Sequence, residues 1–177
     1  MSFSVTQVGI PDNAVTTAKI VDSAVTSPKI AANAVVSDDL AVSTVQYAEV
    51  EISAIDIKAL FTTAKQLVAA PGAGKVLEFI SLMLAYDYGT VVYTIGDATN
   101  LEVKITDKTG AAVSTTQAVT DMIDQATDQM RALDKLEASV TPVDNAPLCL
   151  ALAGADPTAG DGVIHAKVAY RIHATGL

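Results

Sequence analysis

The sequence predicts a mainly β protein: a jelly-roll-like β-sandwich with one short helix over residues 45–177, preceded by an extended N-terminal arm of ten-residue repeats over residues 1–44. Three observations carry this. Ile164, Ala166, Val168, Tyr170 and Ile172 alternate with His165, Lys167, Ala169, Arg171 and His173, the period-two pattern of a strand with one buried face. Further short apolar runs, separated by Gly, Asp and Pro turn signals, follow at the spacing of a sandwich. Finally, the stretch "NAVTTAKIVDSAVTSPKIAANAVVSDDLA" at residues 13–41 almost repeats itself every ten residues, a period that belongs to neither a helix nor a strand.

In that stretch Ala14-Val15-Thr16, Ala24-Val25-Thr26 and Ala34-Val35-Val36 align, as do Lys19-Ile20, Lys29-Ile30 and, more loosely, Asp39-Leu40. Its large apolar residues, Ile10, Val15, Ile20, Val25, Ile30, Val35 and Leu40, recur every fifth position. A spacing of five drifts around a 3.6-residue helix and changes face at each step along a strand, so each unit must turn. Asp, Asn and Ser supply local hydrogen bonds for the turns, and Pro11 and Pro28 interrupt regular structure. One unit buries two medium side chains, about 3–5 kcal/mol of transfer energy, against roughly 10 kcal/mol or more for ordering ten residues. The arm is therefore expected to need its own copies or a partner surface, the alternative being a flexible tether, for which the kept register of the apolar positions has no use; these seven apolar residues are its candidate docking or intertwining positions.

The later elements follow in chain order. Val50 and Ile52 set one parity and Ile55 and Ile57 the other, so a bulge or strand break is expected near Ser53-Ala54. Residues 76–85 are nearly all apolar, which suits a strand buried on both faces, and Asp87-Tyr88-Gly89 ends it before Val91-Val92-Tyr93. Leu101, Val103 and Ile105 alternate with Glu102 and Lys104, and "DKTG" follows as a turn. Val119, Met122, Ile123, Ala126, Met130 and Leu133 have helical spacing, with Asp121, Asp124, Asp128 and Arg131 on the other side, which predicts a helix of one to four turns.

Composition narrows the function classes. Half the residues are hydrophobic and only 18% are charged, low for a chain whose whole surface faces water, so part of that surface is expected to be buried between subunits. No apolar run reaches the ~18 residues of a membrane span, and no basic-then-apolar leader opens the sequence. Net charge is −9 without any basic cluster, which argues against nucleic acid as a partner. The single Cys149, in "APLCLALAG", reads as a buried thiol.

Several motifs resemble chemistry and fail on a specific residue. "APGAGK" at residues 70–75 mimics the end of a phosphate-binding loop, but Ala69 stands where a Gly is needed and Val76 where a Ser or Thr would hold magnesium. His165 and His173 are eight residues apart on one strand, about 27 Å, too far to share a metal within one chain. The loop "GADPTAGDG" offers Asp156 and Asp161, yet lacks the residue order of a calcium loop, and turn chemistry explains it more simply. No Ser/His/Asp set or close carboxylate pair can be assigned, so no catalytic residue, cofactor, metal or small-molecule substrate is expected.

The iterated "NAVTTAKI" and "SAVTSPKI" units resemble the short repeats of fibre-like and head-associated structural proteins of tailed bacteriophages. "LVAAPGAGKVLEFISLMLAYDYGTVVYTIG" and "LAGADPTAGDGVIHAKVAYRI" are similar to segments of phage virion proteins that form compact β domains; together the matching stretches cover roughly half of the chain. The resemblance implies a virion protein made in the host cytoplasm, most concretely a homotrimeric capsid decoration (cement) protein on the outer surface of the head that bridges subunits of the major capsid protein. The alternative it implies is a tail or head fibre protein whose β domain binds a host-surface receptor. The repeat is short for a fibre shaft, and no Trp and only five Tyr are available as sugar platforms; both points favour the first.

Overall fold

In a computed structural model of the chain, residues 44–175 are described. Their elements are β1 (Gln46–Ile52), the one-turn helix α1 (Ala54–Ile57), β2 (Lys65–Val68), β3 (Lys75–Asp87), β4 (Tyr93–Thr94), β5 (Asn100–Ile105), β6 (Gln117–Ala118), β7 (Gln129–Asp134), β8 (Leu148–Leu152), β9 (Thr158–Ala159) and β10 (Val163–Ala174). One sheet has the order β1-β10-β3-β7, a second β2-β8-β5-β6, and β4 pairs with β9 in a small ribbon.

Without that ribbon, eight strands remain, and they pair first with last, second with seventh, third with sixth and fourth with fifth. All pairs are antiparallel. This is one long hairpin rolled up so that β10 also meets β3 and β8 also meets β5, the arrangement of a jelly roll. The sequence expectation of a jelly-roll-like, mainly β sandwich therefore matches the described residues.

Alternation decides which side chains enter the core. Ile52, Leu82, Leu84, Tyr86, Leu133, Ile164 and Val168 from the first sheet meet Leu101, Val103, Leu148 and Leu150 from the second, all fully buried. The strand β8 is buried along its whole length, and Cys149 is buried with it, its Sγ donating to the Thr106 carbonyl at 3.4 Å. Burial pushes its thiol pKa up, away from the reactive thiolate.

The face change expected near Ser53 is a strand break. The Ser53 hydroxyl accepts from the Asp56 N–H (3.2 Å), and the Asp56 carboxylate accepts from the Ser53 N–H (3.0 Å). This capping box opens α1 and turns Ile57 into the core while Ile55 stays exposed.

Two expectations are corrected. The stretch 119–128 forms turns instead of a helix: the Met122 and Ile123 N–H groups share the Val119 carbonyl (3.2 Å each), Asp121 has φ of +61°, and the chain is extended again at Gln129. One turn buries Val119, Met122 and Ile123 at helical spacing, whereas Met130 and Leu133, an odd number apart on β7, lie on opposite faces. The short helix of the fold is α1 instead. The apolar run of β3 is likewise not buried on both sides: Leu82, Leu84 and Tyr86 face the core, while Met83 is 42% exposed on the outer face.

Candidate functional site

The seven arm positions, Ile10, Val15, Ile20, Val25, Ile30, Val35 and Leu40, lie outside the described residues, so the candidate sites within the sandwich are its two ends and its open sheet face.

At one end, the loop at residues 154–162 holds its neighbours through its carboxylates. Asp156 accepts from the Phe61 N–H (2.7 Å), the Thr62 N–H (3.2 Å) and the Thr62 hydroxyl. Asp161 accepts from the Thr90 hydroxyl (2.6 Å) and from the Thr90 and Val91 N–H groups (2.8 Å each). Burial works against the charge on Asp156, but the bonds from Thr62 and Phe61 together outweigh it and hold its pKa below the ordinary value. For Asp161 the Thr90 hydroxyl, then the Val91 N–H, lower it. Both carboxylates thus spend their lone pairs on backbone and hydroxyl donors, the turn chemistry expected from the sequence. Among the described residues no three His, Cys, Asp or Glu side chains form a group able to hold a metal ion. The glycine pattern follows the same logic: a Cβ on Gly89 would stand 2.3 Å from Asp161 Oδ1, and one on Gly160 (φ +72°) 2.4 Å from the Tyr93 ring.

The opposite end carries a cleft of about 780 Å³. It exists because β7 runs beside β3 only from Ser81 to Tyr86. Beyond Asp134 the chain crosses to the second sheet, where Lys135 bridges Ser114 and the Leu136 N–H donates to the Val113 carbonyl (3.0 Å). Val76, Phe79, Ile105, Val113, Leu136 and Val140 make the cleft apolar. Glu78 sits at its rim and gathers three basic side chains: Lys135 Nζ at 2.5 Å, His173 Nε2 at 2.8 Å and Arg171 at 3.6 Å. The Lys135 contact first, then that of His173, pulls the Glu78 pKa to about 2. His173 is thereby placed in the Glu78 cluster, whereas His165 lies on the same strand opposite Glu51 of β1.

The "APGAGK" motif is the turn that leads into β3. Gly72 (φ +97°) donates its N–H to Asn145 Oδ1 at 2.9 Å, and Gly74 has φ of +73°.

The outer face of the first sheet is the third candidate. In register across β1, β10, β3 and β7 it presents Glu49, Lys167, Met83 and Ala132 in one row, and Glu51, His165, Ala85 and Met130 in the next. Lys167 pairs with Glu49 (2.8 Å) and lies 5.7 Å from the centre of the exposed Tyr47 ring. The half formed by β3 and β7 is apolar, with Met130 65% exposed.

Sequence reasoning missed the Glu78 cluster, because its members are 57 and 95 residues apart. The one available signal was Glu78 itself, a lone charge inside the apolar run of residues 76–85.

No known protein family matches the chain, and no curated protein matches it either. Among solved structures it is similar to a chain of the cyanophage Pam1 capsid asymmetric unit, at 17% identity over 72% of this chain and 83% of that one, with a TM-score of 0.40.

Proposed function

We propose that the chain is a structural component of a tailed-phage virion, a capsid decoration protein that assembles as a homotrimer on the outside of the head and bridges subunits of the major capsid protein. The observation that carries this reading is the joining, in one chain, of a jelly roll with the iterated NAVTTAKI-type units, since a rigid sandwich and a repeat that needs external partners suit a bridge between subunits. Two features of the described residues support it. The outer face of the first sheet keeps apolar side chains such as Met83 and Met130 in the open, where a subunit contact would cover them. The loop carboxylates hold their own backbone, a structural use of groups that catalysis would need free. In this reading the seven arm positions make the second contact, by docking or intertwining.

Such a protein stabilises the assembled shell because it binds that state and not the separated subunits, and weak contacts add over many sites. Particles lacking it should assemble, release DNA at a lower temperature than decorated particles, and adsorb to host cells at an unchanged rate. The fibre reading gives the reverse pattern. Normal heat resistance combined with lost adsorption overturns the decoration assignment, and a monodisperse monomer in light scattering overturns the homotrimer.

A further inference from the structure

The cleft beside Glu78 has a property that an ordinary apolar pocket lacks: one of its walls is the open edge of a β-strand. The Gly74 carbonyl accepts from the Thr175 N–H (3.0 Å), while the next carbonyl, that of Lys75, turns the other way and accepts from the Asn145 N–H (2.9 Å). Antiparallel strands alternate in this manner, so two residues on, the N–H and C=O of Leu77 also point away from β10 and toward the cleft. Among the described residues no strand runs beside residues 76–80 on that side, because β7 has already crossed to the other sheet. The edge is about five residues, or roughly 17 Å, long.

We propose that this slot is a strand-addition site: it takes one extended segment of a neighbouring protein, apolar at alternate positions, which pairs with the edge of β3 beside residues 76–80. Backbone groups in strand alternation recognise extended backbone, and the apolar walls recognise every second side chain. The size of the opening selects a segment over a folded face. One strand along ~17 Å of edge contacts far less than the roughly 800 Å² per partner of a standard globular interface. Charge adds no selection, since the slot sets Lys135 and His173 against two carboxylates, Glu78 and Glu137; the backbone edge and the apolar walls carry the recognition.

The virion reading bears only on whose segment this is; the binding itself stands apart from it and is tested without particles. The full-length protein, isotope-labelled, is titrated with the peptide acetyl-TVTVTV-amide, and with acetyl-TPTPTV-amide, whose prolines cannot donate to a strand edge, as the control. Saturable amide shifts are expected at Val76, Leu77, Phe79 and Leu136, together with at least tenfold slower hydrogen exchange at the Leu77 amide. The control peptide should bind at least fivefold more weakly. The exposed Ala138 lines the slot, so Ala138→Trp should abolish the shifts while leaving the thermal midpoint near that of the parent. Shifts centred on Met83 or Met130 overturn the proposal, as does filling of the cleft that leaves Leu77 exchange unchanged. If Ala138→Trp does not fold, the parent protein decides alone: no response at these four residues with millimolar peptide refutes strand addition. Loss of heat protection by the protein on particles, with peptide binding intact, would refute the virion reading instead.

Discussion

The two ends of the sandwich close in opposite ways. At the end where β10 begins, Asp156 and Asp161 reach across 95 and 71 residues of sequence to take the backbone N–H groups of other loops, and Asp128 does the same for Tyr88. At the end where β3 begins, Glu78 pairs with side chains only, and the neighbouring strand edge is left without a partner among the described residues. Backbone-tied loops resist local opening because opening breaks charge-assisted hydrogen bonds from N–H groups to a carboxylate. The end where β3 begins has such ties as well, from Gly72 to Asn145 and from Asn145 to Lys75, and beside them the side-chain contacts of Glu78 and an open edge.

The largest difference between the ends should come from steric substitution. Gly160→Ala places a methyl group 2.4 Å from the Tyr93 ring at a positive φ and is expected to destabilise by roughly 2–4 kcal/mol in urea unfolding. An alanine at Gly72, also at positive φ but with nothing within 4 Å of the added carbon, should cost only about 1 kcal/mol. Equal losses at the two positions would remove the contrast.

Charge removal comes next. Glu78→Gln strips the common partner of Lys135, His173 and Arg171 and should lower stability at pH 7 by about 1–2 kcal/mol. The sign with pH follows from the depressed pKa, about 2 against the ordinary 4.5. The contribution of the ionised Glu78 is fully present above the unfolded value and is lost as pH falls from about 4.5 toward 2. The gap between parent and Glu78→Gln urea midpoints should therefore narrow between pH 6 and pH 3. A gap that stays constant across that window would show that the carboxylate charge contributes nothing.

Smaller still, Asp161→Ala should act locally. Hydrogen exchange at the Thr90 and Val91 amides should speed up, with the urea midpoint moving much less than in Gly160→Ala. At the bottom of the scale, Lys167→Gln removes an exposed pair with Glu49, and no measurable shift in the urea midpoint is expected.

Legibility in the sequence followed the physics of each element. β10 and β5 could be read because one face is core and the other solvent, so polarity alternates residue by residue. The β3 run could be placed but not oriented. An apolar side chain at Met83 carries the same letter-level signal whether its face meets the core or waits for a partner. The turn at 119–128 imitated a helix because i, i+3 and i+4 burial needs only one turn. Of the candidate sites, the turn roles of Asp156 and Asp161 were legible in their Gly-rich loop. The cleft was not, since it arises where β7 leaves β3, a decision made by tertiary pairing.

The rolled-hairpin order also governs how the chain comes off the ribosome. β10 supplies the central partner of both β1 and β3, yet it begins 76 residues after β3 ends. At about 5–20 residues per second, the nascent chain carries β3 for roughly 4–15 s before the strand that hydrogen-bonds along its edge exists. No shorter piece ending before Val163 can complete the first sheet. Release of sound protein from the cell should therefore respond steeply to temperature and to chaperone supply, and slow synthesis should lengthen the interval in which two unfinished chains can find each other's β3.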